Sequence, residues 1–105
     1  MSFVIIYAMI QSFGNSGTEN IFDGIASRAA GKCCPQSIWS VAQRKLDQIN
    51  RVRNLTELQI PPGNRLELLK GDREKQYSIR INQQYRICFI WKEDHAHEVE
   101  ITDYH

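Results

Sequence analysis

The run YSIRINQQYRICFIW, residues 77–91, admits few backbones. Strand-forming Ile, Tyr, Cys, Phe and Trp flank a short polar stretch, which is the pattern of two antiparallel strands and their turn. Tyr77, Ile79 and Ile81 share one face and Ser78 and Arg80 the other. In the second strand Tyr85, Ile87, Phe89 and Trp91 share a face, with Arg86, Cys88 and Ile90 opposite. Directly paired residues point the same way, so loop length decides which side chains keep company. A two-residue turn at Gln83–Gln84 would pair Ile81 with Arg86 and push a guanidinium among core residues, which is costly when the charge is unpaired. A three-residue loop, Asn82 to Gln84, pairs Ile81 with Tyr85 and Arg80 with Arg86, and Asn82 is its expected left-handed residue. That register puts two like charges side by side, a destabilising arrangement of roughly 0.2–1 kcal/mol on the cross-strand scale. Two such cations suit a surface that binds an anion. The bland alternative is that each pairs with a nearby carboxylate, Glu67 or Glu100.

The rest of the chain frames this hairpin. Residues 3–13 read as an apolar strand. Ser16 and Glu19 stand at capping-box spacing before Ile21, Phe22, Ile25 and Ala29, and Gly31 is placed to end that helix. Pro35 opens a second helix, whose Ile38, Val41, Ala42, Leu46, Ile49 and Val52 form one apolar face. NLTELQIPPGN reads as a short helical turn closed by Pro61-Pro62-Gly63. RLELL is a strand, KGDREK a turn, and residues 98–102 a last strand with Val99 and Ile101 inward and Glu100, Thr102 and Tyr104 on the arginine side. The order β-α-α-β-β-β-β predicts an α+β fold, a mainly antiparallel sheet with two N-terminal helices on one face. At 105 residues the chain suits one domain, 1–105.

Formal net charge is only +1, but its distribution is uneven. Residues 44–92 carry eleven basic groups against five acidic, while residues 93–105 carry five acidic groups and no Lys or Arg. A basic middle is an electrostatic footprint for phosphate. Three cysteines, two of them adjacent, make no disulfide framework and fit a reduced, cytoplasmic setting. FVIIYAMI is too short to span a membrane and has no basic leader, so no membrane partner is expected. His95 and His97 form an HxH without further ligands at matching spacing, so neither a metal nor a cofactor is expected.

Three segments in order, PPGNRLELLKGD, YSIRINQQYRICF and the terminal DYH, resemble the HigB toxins of the RelE/ParE toxin–antitoxin superfamily. The similarity runs from about Met9 to His105, leaving residues 1–8 as an N-terminal extension. It implies a RelE-like, microbial-ribonuclease-like fold and a helix-turn-helix antitoxin of the HigA type, with operator DNA reached through that antitoxin. It also implies cleavage of mRNA on the translating ribosome. The matching positions are Lys70, Arg86, Asp103, Tyr104 and His105. One well-described branch has a histidine where this chain has Glu67, and a basic residue where it has Asn82.

Such cleavage is metal-independent: a ribose 2′-OH attacks the adjacent phosphate and the 5′-oxygen leaves. Arg86 would stabilise the phosphorane, with Arg80 and Arg73 as further phosphate contacts. Lys70 would do the same, or serve as base if neighbouring cations depress its pKa. Tyr104 would stack on a base or orient the 2′-OH. His105 would carry the proton and Asp103 orient its neighbours. Two other readings stay open: a non-catalytic inhibitor like the ParE relatives that poison DNA gyrase, and a weakly active chain serving mainly as antitoxin partner and co-repressor.

Overall fold

The computed structural model describes residues 9–104, so residues 3–8 of the strand expected at 3–13 and the terminal His105 lie outside the described residues. Four strands, β1 (Glu67–Leu68), β2 (Tyr77–Arg80), β3 (Tyr85–Lys92) and β4 (His95–Asp103), form an antiparallel sheet in the order β1-β2-β3-β4. The segment before the helices runs alongside β4. Ile10 and Phe13 make isolated parallel bridges to Ala96 and Val99, with Gln11 N–H donating to Ala96 O at 2.8 Å and Gly14 N–H to Val99 O at 2.9 Å.

The hairpin adopts the register derived from the cost of burying a guanidinium. Ile79 pairs with Ile87 and Arg80 with Arg86, and Ile81 N–H donates to Tyr85 O at 2.9 Å. The expectation of a left-handed Asn82 is wrong, since Asn82 is absent from the positive-φ positions. Its side chain does the work instead. Asn82 Oδ1 accepts from Gln84 N–H at 2.8 Å and Tyr85 N–H at 2.7 Å, an Asx-type turn that satisfies the loop amides without a left-handed residue.

The region expected as the first helix is two. α1 (Ser16–Phe22) is capped by Asn15, whose Oδ1 accepts from Thr18 N–H, so Ser16 is already helical. Gly24 at φ +74° turns the chain out, leaving Ile25 half-exposed. Ser27 then caps α2 (Arg28–Cys33) by accepting from Ala30 N–H at 3.0 Å. Gly31 lies inside α2 rather than ending it. Two caps, each worth about 1 kcal/mol, outrank an apolar spacing that would have continued the helix. Pro35 precedes a 3₁₀ turn, Gln36–Ile38, that leads into α3 (Trp39–Ile49). α3 buries Ala42, Leu46 and Ile49, with Val52 just beyond.

The core lies between these helices and one sheet face. Ile79, Ile87, Phe89, Val99 and Ile101 meet Ile21, Ala30, Leu46 and Ile49 in one cluster. Strand β4 can place Ala96, Val99 and Ile101 all inward because it carries one extra residue. Its register shifts opposite Cys88/Ile90, and Glu98 takes φ +51°, as a bulged residue does. Among the described residues no helix is long and apolar enough to cross a membrane.

Helices α1 and α2 touch at Gly17, where an added Cβ would sit 2.4 Å from Ala29 O and 3.0 Å from Cys33 Cβ. Backbone cannot yield as a flexible side chain does. Gly17→Ala is therefore expected to destabilise the fold by roughly 1–3 kcal/mol through overpacking. Gly31→Ala, with nothing within 4 Å, should be neutral or slightly stabilising. Urea midpoints of the two variants would check this.

Candidate phosphate-binding face

The sheet face turned away from the helices carries polar rows set by register. Glu67 pairs with Ser78, Ser78 with Cys88, and Cys88 with Glu100. The next row is Arg80, Arg86 and Thr102. Arg86 stands at its centre, with its side chain 12% exposed. Its Nη1 donates to Ser78 Oγ at 3.0 Å and pairs with Glu67 Oε1. Its guanidinium carbon lies 4.5 Å from the centroid of the Tyr104 ring, a cation–π contact. The bland reading of the sequence thus applies to Arg86, which has a carboxylate partner. It does not apply to Arg80, which forms no ion pair among the described residues. Arg80 Nε and Thr102 Oγ1, on either side of Arg86, are both buried without a hydrogen-bond partner. Buried polar atoms are nearly always paired, so two orphans in one row mark a place suited to an incoming acceptor.

This face is partly covered. Segment 69–76 folds over it, with Leu69 N–H donating to Gln76 O at 2.7 Å and Leu69 buried apart from the main core. Gly71 at φ +76° and Lys75 at φ 72° bend the segment around a 3₁₀ turn, Gly71–Arg73. Arg73 reaches across to Glu100, Nη1 to Oε1 at 2.6 Å, and to Gln76 Oε1 at 3.1 Å. Cys88 is fully buried beneath it, and that burial pushes its thiol pKa up.

The structure brings some of the sequence-derived residues together and separates others. Arg86, Arg80 and Tyr104 converge. Lys70 is exposed at the start of the covering segment. Arg73 is committed to Glu100. Asp103 pairs with Tyr85 in register, which puts it on the helix side of the sheet end, where Oδ2 accepts from Gln84 Nε2 at 3.1 Å. Tyr104 N–H donates to Gln84 O at 2.6 Å, tying the chain end to the hairpin loop. Ser78, in the neighbouring row, and Thr102 belong to the site too. The alternation of the strands placed both on the arginine face, but neither was counted among the site residues. Of the two histidines of the HxH pair, His95 Nδ1 accepts from Met9 N–H at 3.2 Å, and His97 Nε2 lies 3.3 Å from Lys92 O.

Comparison with known proteins decides the family. Residues 11–105 match the HigB-like toxins, described as RelE-like toxins of the type II toxin–antitoxin system HigB. The chain belongs to this family. A stretch of 57 residues is 44% identical to Toxin HigB-1 of Vibrio cholerae, covering 54% of this chain and 60% of that one. Another of 58 residues is 47% identical to an uncharacterized protein of Haemophilus influenzae, covering 55% of each. The chain therefore spans little more than half the length of these curated relatives. Its fold resembles that in the YoeB–YefM complex from Staphylococcus aureus, with a TM-score of 0.51 at 13% identity over 95% of this chain and 99% of that one. A HigB-like chain thus keeps the RelE-like α+β architecture with little sequence in common.

Proposed function

We propose that this HigB-like chain is the toxin of a type II system and acts as a ribosome-dependent mRNA endonuclease in the cytoplasm. A HigA-type helix-turn-helix antitoxin neutralises it and carries the complex to operator DNA. The observation that carries this reading is the Arg80–Arg86–Thr102 row, where a largely buried guanidinium under an aromatic ring sits beside two orphaned polar atoms.

A phosphodiester on this row accepts from Arg86 and from Arg80 Nε, which fixes the phosphorus and stabilises the charge of the phosphorane. The neighbouring 2′-oxygen attacks, the bond to the 5′-oxygen breaks, and the products are a 2′,3′-cyclic phosphate and a 5′-hydroxyl. The 2′-OH proton passes to a base and the leaving oxygen takes one from an acid. Lys70 and His105 are the titratable groups assigned to these transfers. Tyr104 stacks on a base and holds the 2′-OH in line. Asp103, on the other side of the strand end, acts only by positioning its neighbours. The ribosome supplies the alignment of mRNA, and alignment alone is worth many powers of ten.

Mapping mRNA 5′ ends in a translating extract tests the reading, with the wild-type chain beside Tyr104→Ala. New ends in register with codons, absent from the variant and from ribosome-free reactions, are the expected result. Growth arrest with intact ends and altered plasmid supercoiling would transfer the chain to the gyrase inhibitors.

Glu67 shapes this site by competing for Arg86. A phosphate must displace the carboxylate or share the guanidinium with it, and charge-assisted hydrogen bonds of this kind are worth about 1.5–3 kcal/mol. Glu67 is half-exposed, so solvent screening reduces its hold. Glu67→Gln is expected to raise the affinity for a single-stranded oligonucleotide about tenfold at low salt, with the gain shrinking as salt rises. Unchanged binding would show that Glu67 only positions Arg86.

A further inference from the structure

Two consecutive cysteines close α2, on the helix side of the sheet and away from the arginine row. Cys33 is half-buried and Cys34 buried. Cys33 Sγ lies 3.4 Å from Thr18 Oγ1, 3.9 Å from Asn15 Oδ1 and 4.0 Å from Ile101 O. Thr18 Oγ1 already accepts from Ile101 N–H at 2.9 Å, so its own proton is available to the sulfur. Cys34 is held just as firmly. Its N–H donates to Ala30 O at 3.3 Å, and its carbonyl accepts from Trp39 Nε1 at 3.0 Å. Cys33 also lines a cavity of about 260 Å³ with Asn15, Ser16, Gly17, Ala29 and Lys32. That cavity gives a small molecule access, with Lys32 among its lining residues.

We propose that Cys33 and Cys34 form a peroxide-responsive dithiol, in which Cys33 attacks a small hydroperoxide and Cys34 closes a reversible disulfide. The Cys33 thiolate attacks one peroxide oxygen, the O–O bond breaks, and hydroxide leaves to give a sulfenic acid. The Cys34 sulfur then displaces the sulfenic oxygen, which takes the Cys34 proton and departs as water. The net change is two thiols and one hydrogen peroxide to one disulfide and two waters. Thiolate character supports the first step. Hydrogen bonding from Cys34, then from Thr18, holds the Cys33 pKa down to about 7 against burial and the Glu100 charge. The same contact, with burial, raises Cys34, which keeps the resolving thiol protonated until the sulfenic acid forms. Adjacent Cα atoms are about 3.8 Å apart across a trans peptide, below the usual span of a disulfide. Such a bond is strained and easily reduced. Closing it would draw Cys33 from Thr18 and so disturb the contact with Ile101 on β4, the strand that carries Thr102.

The third thiol is an internal control. The full chain is treated with a few equivalents of hydrogen peroxide, quenched and digested with trypsin, which isolates CCPQSIWSVAQR (residues 33–44) from Cys88. A loss of about 2 Da in that peptide, reversed by glutathione, is expected while Cys88 remains a free thiol. Cys34→Ser should stop at a sulfenic acid on Cys33, trapped by dimedone, and Cys33→Ser should give neither product. Oxidation of Cys88 at an equal rate, a disulfide between two chains, or over-oxidation of Cys33 without the 2 Da loss would overturn the proposal. So would a Cys34→Ser chain that gives no dimedone adduct yet keeps the wild-type circular dichroism.

Discussion

Arg86→Ala is expected to lower mRNA cleavage in a translating extract by about 10²–10³, the usual cost of removing one preorganised donor from a developing oxyanion. Growth arrest should be relieved in parallel. Stability should fall only modestly, because the local terms partly offset one another. Ser78, fully buried, loses the donor at 3.0 Å, at about 1 kcal/mol. The contact with Tyr104 is worth about 0.5–1 kcal/mol at a partly exposed site. Against these stands relief of the Arg80–Arg86 repulsion, about 0.2–1 kcal/mol. The half-exposed Glu67 is simply rehydrated. The net loss of roughly 0.5–1.8 kcal/mol lowers the melting temperature by about 2–14 °C, so cleavage lost from a chain still folded at the assay temperature separates chemistry from folding. Arg86→Lys sharpens the test by keeping the charge while losing the planar fork that serves Ser78, Glu67 and the Tyr104 face together. Undiminished cleavage in Arg86→Ala would remove this row from the mechanism.

How much of this was legible in the sequence depends on the range of the deciding interaction. The hairpin register was legible because its alternatives differ by a buried guanidinium, a large term read from the fifteen consecutive residues 77–91. The sides of Glu100, Thr102 and Tyr104 followed from alternation with Val99 and Ile101. The Glu98 bulge, which lets Ala96 face inward as well, left no comparable mark. The break between α1 and α2 was missed because apolar spacing at Ile21, Phe22 and Ile25 outweighed Gly24 in the reading, although Asn15 and Ser27 are both good caps. Glu67 was one of two carboxylates that could hold Arg86. Choosing it requires the β1–β2 register, and those strands are joined by a segment with its own turn. Glu100 went to Arg73 for the same reason: no local pattern reports where a covering segment will land.

The largest structural effect is expected at Asn64, in the PPGNRLELL segment that carries part of the family resemblance. Asn64 is fully buried. Its Oδ1 accepts from Lys45 Nζ at 2.6 Å, and its Nδ2 lies within 3.1 Å of both Gln48 Oε1 and Leu58 O and 3.3 Å from Ile60 O. One amide thus ties α3 to two successive 3₁₀ turns, Leu55–Gln59 and Pro62–Asn64. Arg65 then takes φ 46° and turns the chain toward Glu67 of β1. Asn64→Ala would strand Leu58 O without its donor and leave the Lys45 amine, whose pKa burial already lowers, short of an acceptor. Unmet buried groups cost about 1–3 kcal/mol each, so a loss of roughly 3 kcal/mol is expected, or about 12–24 °C in melting temperature for a domain of this size. Asn64→Asp separates the two halves of the network. A carboxylate still accepts from Lys45 but cannot donate to Leu58 O, so the loss should be intermediate. Equal losses for both variants would mean that the amide proton alone matters. A shift of under 3 °C for Asn64→Ala would mean that the turns hold themselves. In the expected case this asparagine fixes where Glu67 enters the sheet, and so how tightly Arg86 is held, without touching the row on which RNA would lie.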